Sequence, residues 1–272
     1  MKNNNNSSHS NTCFKNIFLL AFFLPLVLIS CGDKDEGDAT AKALTLVMGT
    51  SADMPPFEFY KTGEGQTHIS GFDIDVARAI AQELNHELKI KDMDFSGLIP
   101  ALQAGRVDFV MASMTPTPER LRNVAFSEPY LVLPVAAVSL NPQDINSQND
   151  FRGKKIGVQL GSTHEQFARS LAEKDRSIKI VSMNKLGELI QELVLSRIDV
   201  VIMETKTAKA FQKKNADLRV NAIEDHIVQF AIAFPKNSPW IEKVNEVIKK
   251  LHARGSLEEI KSVWFSDARN NS

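Results

Sequence analysis

Residues 113 to 130 read SMTPTPERLRNVAFSEPY, and they set Arg120 just after three small hydroxyl residues, Ser113, Thr115 and Thr117. An ordinary turn needs no cation. Thr117 followed by Pro118 has the form of an N-cap and a first helical residue, so Arg120 is predicted in the first turn of a short helix whose leading backbone N–H groups are free. A carboxylate placed there would meet helix-start amides, the Ser113 and Thr115 hydroxyls, and a guanidinium able to grip both of its oxygens. The competing reading is a surface arginine paired with Glu119 or Glu128, an arrangement that is common and weak.

The second candidate is Glu204, which closes the apolar run RIDVVIM (197–203). An acid at the end of a buried strand would be satisfied by a cation such as an α-ammonium. Its bland alternative is a loop carboxylate balanced by Lys206. Facing one another across a cleft, Arg120 and Glu204 would form a matched receptor for a zwitterion, because burying either charge unpaired is costly. The six histidines (His9, His68, His86, His164, His226 and His252) are scattered. No metal-ligand spacing and no Ser/His/Asp or cysteine nucleophile stands out, so neither a metal nor a cofactor is expected.

The elements that must position these residues alternate. LTLVMG (44–49) is β-type, and FDIDVARAIAQELN (72–85) puts Ile74, Ala77, Ala81 and Leu84 on one helical face. FSGLIPALQAG (95–105) reads as a short helix capped by Ser96 and left at Gly105, and RVDFVMA as the next strand. KKIGVQ, IKIVSM and RIDVVIM are further strands, separated by helices over STHEQFARSLAEK, opened by Ser162 or Thr163, and LGELIQELVLS. After the strand VQFAIAFP come two helices, one begun by Ser238-Pro239 and one opened by a capping box at Ser256-Leu257-Glu258-Glu259, with Ile260, Val263 and Trp264 facing the core. Such alternation specifies an α/β class with parallel sheets. GRVDFVM (105–111) and SRIDVVIM (196–203) echo one another, as two halves built alike would. Open α/β sheets bind ligands beyond the carboxyl ends of their strands, where Ser113, Thr115 and Glu204 fall.

Length and charge narrow the function. The 272 residues suffice for two modest lobes, and 32 lysines and arginines against 33 acidic residues create no field that would draw nucleic acid. The polar start, NNNNSSHSN, lacks the apolar surface to fold. The apolar segment IFLLAFFLPLVLIS (17–30) is shorter than the roughly 20 residues of a membrane span and fits a signal h-region of about 7 to 15. It ends in Leu28-Ile29-Ser30-Cys31, which resembles the lipobox of bacterial lipoproteins and makes Cys31 the candidate lipidated residue. With Cys13 removed on cleavage, no disulfide forms within one mature chain. GDKDEGDATAK, from 32 to 42, reads as a flexible tether.

From about residue 44 to 265 the chain resembles the bacterial family 3 solute-binding proteins of polar amino-acid ABC transporters. The likeness is carried by GTSADMPPFEF, SGFDIDVARAIAQEL, DFSGLIPALQAGRVDFVMASMTPTPER, VAFSEPY, GKKIGVQLGST, RIDVVIME and GSLEEIKSVWF, in the family's order. It implies a two-lobed periplasmic-binding-protein fold with two crossovers, near 131–137 and 225–230, and a ligand cleft between the lobes. Lobe 1 would comprise 43–132 plus 229–266, lobe 2 would be 133–228, and a signal peptide would occupy 1–31. The resemblance assigns Arg120 to the ligand's α-carboxylate with help from Ser113, Thr115, Ser162 and Thr163, Glu204 to the α-ammonium, and Phe95 to the ligand side chain. Three departures bear on specificity: Met54 where an aromatic is common, Ser51 where aspartate is common, and Glu204 for the commoner aspartate. Met54 would make a softer wall, and Asp53 or Glu58 could replace the acid absent at 51. The implied function is capture of a polar or basic amino acid outside the cytoplasm, by a lipid-anchored monomer that delivers it to an ABC permease. The alternatives are a dehydratase of the cyclohexadienyl type on the same fold, or a ligand-sensing lipoprotein.

Overall fold

The computed structural model describes residues 44–63 and 65–266, apart from the side chains at 224 and 225. The signal segment, Cys13, Cys31 and the tether lie outside the described residues. In chain order the first elements are β1 (Leu44–Thr50), β2 (Asp53–Met54), β3 (Glu58–Gly63), β4 (Gln66–Ser70), α1 (Phe72–Glu83), β5 (His86–Asp92), α2 (Leu98–Gln103), β6 (Phe109–Val110), α3 (Pro118–Asn123) and β7 (Ala125–Phe126). Then follow β8 (Leu131–Leu140), β9 (Lys155–Gln159), α4 (Thr163–Lys174), β10 (Lys179–Met183), α5 (Leu186–Val194), β11 (Val200–Glu204), α6 (Thr205–Lys214) and β12 (Leu218–Phe230). The chain closes with β13 (Ala233–Phe234), α7 (Trp240–Ala253) and α8 (Ser256–Phe265).

Two five-stranded sheets result, ordered β5-β1-β6-β13-β7 and β10-β9-β11-β8-β12, beside a small β2-β3-β4 sheet. β1 runs parallel to β5 and β6, and β9 parallel to β10 and β11, as the βα alternation requires. The long strands β8 and β12 pair antiparallel from Leu131↔Phe230 to Leu140↔Leu218, with an irregularity between Ala222 and Ile227. The buried apolar residues form two clusters, a large one with Phe57, Phe72, Phe230 and Val138 fully buried and a smaller one under α2 with Leu98, Leu102 and Met114.

The sequence echo is one local device used twice. Gly105 and Ser196 both have positive φ, at 65° and 55°, which turns the chain out of α2 and α5. Three residues on, Asp108 accepts the Val47 N–H at 2.7 Å and Asp199 that of Lys155 at 2.7 Å. Each aspartate N–H also donates to the carbonyl of the same residue. A side chain thus extends the ladder by one rung and fixes each strand beside its neighbour.

Several expectations are corrected. RVDFVMA contributes only Phe109–Val110 as strand, because the chain turns at Ser113, whose φ is +50°. Ser96 caps nothing: it lies inside a 3-10 turn, Phe95–Gly97, that precedes α2. Ser256 is the first residue of α8 with Gly255, in the left-handed region, ahead of it, so the capping box does not form. Val263 faces solvent.

Candidate functional site

Arg120 is held as its local sequence dictates. Thr117 caps α3, its hydroxyl accepting the Arg120 N–H at 3.2 Å, and Pro118 opens the helix. The side chain is not at the surface, being only 6% exposed. Its Nη1 donates to the Thr115 carbonyl at 2.6 Å and its Nη2 to the Gly161 carbonyl at 3.0 Å. The guanidinium carbon lies 5.2 Å from the centre of the Phe95 ring. Among the described residues no carboxylate hydrogen-bonds to Arg120; Glu119 accepts from Gln166 instead. Burial lowers the guanidinium to about 10, so it stays charged at neutral pH. A buried cation held by carbonyl dipoles and a ring face is an incomplete arrangement that an anion would complete.

Glu204 ends β11, in register with Val135 of β8, and is also 6% exposed. Although it sits at the N-cap of α6, its side chain makes no cap bond. Instead its Oε1 lies 3.0 Å from His164 Nε2. Lys206 does not balance it, reaching rather to the Phe265 carbonyl and ring. Ser162 caps α4 by accepting the Glu165 N–H, which resolves the choice between Ser162 and Thr163 and puts His164 one residue inside the helix.

Met54, Phe95, Ser113, Thr115, Arg120, Ser162, Thr163 and Glu204 line one cavity, with an empty volume of about 330 Å³ that is partly open to solvent. Ser51 is not among its lining residues: it is buried, and its hydroxyl donates to Asp53 Oδ1 at 3.1 Å. Ala112, Gln159, His164 and Leu186 also line the cavity and were not expected. His164 carried a usable signal, since it lies two residues after Ser162, the N-cap residue of a helix already expected to point at the site.

Neither acid proposed to replace the one missing at 51 is free. Asp53 crosses to the second sheet, where its Oδ2 accepts the Leu186 N–H at 2.8 Å and lies 3.2 Å from Gln159 Nε2. It caps α5, whose own N-cap residue, Lys185, supplies no side-chain bond. Burial raises the Asp53 carboxyl, against the Leu186 hydrogen bond and the Lys185 charge. Glu58 lies fully buried behind Ser113, accepting its hydroxyl at 3.2 Å. Burial, followed by the Asp73 charge, pushes Glu58 well above the usual carboxylate range. Asp73 accepts the Ser113 N–H and the Tyr130 hydroxyl, both at 2.8 Å, and burial raises it to about 6. These acids brace the loop that carries Ser113.

A cation on one wall and an anion on the other suit a zwitterion, and the comparisons with known proteins bear on which. Residues 46–267 match the model of the bacterial extracellular solute-binding proteins, family 3. The chain belongs to this family. Among family 3 relatives it is 38% identical over 253 residues to the arginine-binding extracellular protein ArtP of Bacillus subtilis, covering 92% of this chain and 97% of that one. An ancestral arginine-binding protein solved with arginine bound is 39% identical with a TM-score of 0.77, over 83% of this chain and 100% of that one. An ancestral amino-acid-binding protein described as a precursor of cyclohexadienyl dehydratase is 35% identical with a TM-score of 0.72, over 82% and 96%. The fold is thus the two-lobed α/β fold of family 3, and its closely similar relatives are binding proteins that work outside the cytoplasm.

Proposed function

We propose that this chain is the extracytoplasmic substrate-binding component of an amino-acid ABC transporter, capturing an L-amino acid with a donor-bearing side chain, arginine foremost, and passing it to a membrane permease. The observation that carries this reading is the buried Arg120, unpaired with any described carboxylate, in the same cavity as the buried Glu204. Arg120 grips the α-carboxylate with Ser113, Thr115, Ser162 and Thr163 around it, and Glu204 takes the α-ammonium. Phe95 and Met54 pack on the side chain. Gln159 commits its amide nitrogen to Asp53 and the Asn184 carbonyl, so its carbonyl oxygen is left to accept from the far end of a side chain such as a guanidinium. The arginine-binding relatives support that choice.

In this reading lobe 1 is 43–132 plus 229–266 and lobe 2 is 133–228, supported by the change of sheet between β7 and β8 and between β12 and β13. The chain acts as a monomer, is exported by the segment ending at Ser30, and is tethered to the membrane by a lipid on Cys31. It binds without turnover. The test is a thermal-shift panel of amino acids with their decarboxylated amines. Arginine at one hundred times its Kd stabilises the fold by about 2.7 kcal/mol by mass action, while agmatine, which lacks the carboxylate, leaves Tm unchanged. Equal shifts from both would remove Arg120's role, and conversion of a prephenate-like acid would replace the transport reading with an enzymatic one.

A further inference from the structure

His164 lies in the cavity wall with its side chain almost wholly buried, Nε2 on Glu204 and Nδ1 without a hydrogen-bond partner among the described residues. Its place in the first turn of α4, a 12-residue helix, sets the imidazole at the positive end of a helix dipole, where a cation is disfavoured. The other charged groups of this region leave Glu204 as its counter-ion. Arg120 belongs to the same cavity and is itself a cation. Glu165, the next residue, is turned to Arg169, Ser182 and the Gly161 N–H. Glu58, whose field reaches Glu204, is pushed by burial toward its neutral form. His226 of β12 lies against Phe167, with ring centroids 4.3 Å apart, and burial and then the His164 charge lower its pKa.

Where the His164 ring carries a second proton, an α-ammonium arriving at Glu204 would stand beside an imidazolium, two cations sharing one carboxylate in a buried site. Like charges so placed oppose one another strongly. Resting on the amino-acid reading above, we propose that His164 and the ligand's α-ammonium compete for Glu204, and that the ammonium, on taking the carboxylate, expels the imidazolium proton to solvent. The N–H bond of the imidazolium breaks and buffer accepts the proton. The neutral ring remains as a wall of the site. Net charge around Glu204 is unchanged, because one positive charge enters as another leaves.

Histidine is the side chain whose charge ordinarily changes between about pH 5 and 8. Affinity should then rise with pH wherever His164 is protonated in the free chain, by up to about tenfold per pH unit, and level off where it is not. Isothermal titration of the full chain with L-arginine, across that range and in buffers of different ionisation enthalpy, counts the protons released. The expected result is release of up to one proton per arginine at the acid end, falling to none at the alkaline end. It should be lost in His164→Gln and kept in His226→Gln. Should His164→Gln fail to fold, imidazole NMR of the parent chain, assigned with the His226→Gln spectrum, must show one ring losing its proton on adding arginine at the acid end. Arginine binding with buffer-independent heats and a pH-flat Kd overturns the proposal, as does proton release that survives His164→Gln. Absence of binding heat with any common amino acid at any pH is a different result, and it removes the transport reading together with the proposal.

Discussion

At the residue scale the decisive side chain is Arg120, a buried guanidinium whose hydrogen bonds run to carbonyls. We predict that Arg120→Ala weakens amino-acid binding by the cost of truncating one partner of a buried charge pair, about 2–5 kcal/mol, or roughly thirtyfold to several-thousandfold in Kd. The same change should leave the free protein as stable or more so, because a buried charge is removed. Titration calorimetry showing parental affinity would end the carboxylate-grip account. Asp73 supports a second hypothesis, on pH. Its carboxyl is raised from 3.8 to about 6 in the folded chain. The folded state therefore holds a proton that the unfolded state has lost between those values, and the stability linked to it is full below the lower value and lost as pH rises through the upper. Glu58 is shifted in the same direction and feels the Asp73 charge, so the two titrations are coupled. Urea unfolding between those pH values should show stability falling as pH rises, with a shallower fall in Asp73→Asn; an identical slope in the variant would place the titration elsewhere.

At the scale of elements, short strands are fixed by aspartates and close approaches by glycines. Gly71, at the start of α1, has φ 140°, and a Cβ there would lie 1.9 Å from the Phe57 carbonyl oxygen. This backbone contact holds the β2–β3 connection against the helix that carries Asp73. Gly71→Ala is predicted to cost about 3–5 kcal/mol, combining backbone strain with overpacking. A urea midpoint within experimental error of the parent would show that the turn relaxes freely. Gly157 in β9 is a milder case, because a Cβ there would meet Ile198 Cδ1, the end of a flexible side chain, at 2.5 Å.

At the scale of the whole molecule, residues on either side of the cavity are clasped independently of any ligand. Asp53 caps α5, Asp94 receives Lys185 at 3.1 Å and Asn184 at 3.0 Å, and Gln166 donates to Glu119 at 3.0 Å. The exposed pairs among these contribute little, whereas Asp53 satisfies a helix start. Loss of such a cap costs about 1 kcal/mol, roughly fivefold in the population of the clasped form. Asp53→Ala is accordingly predicted to weaken the apparent Kd for arginine by about that factor and to enlarge the radius of gyration of the free chain in X-ray scattering. Unchanged values of both would mean that the clasp does not set the closed population.

What the sequence determined by itself is whatever a few neighbouring residues can encode. The Thr117-Pro118 helix start that points Arg120 inward, the strand end that presents Glu204 and the α/β alternation all follow from local spacing, and all are found in the fold. Even local rules lost where a better-placed neighbour held the cap position, as Gly255 did over Ser256. Tertiary structure alone decided that Glu204 meets His164, a residue 40 positions away, and that Asp53 caps a helix 133 positions away. It also decided that Ser51 serves Asp53 and does not line the cavity. These contacts depend on how two sheets close over one cavity, and no periodicity within a single element records which distant side chain will be there.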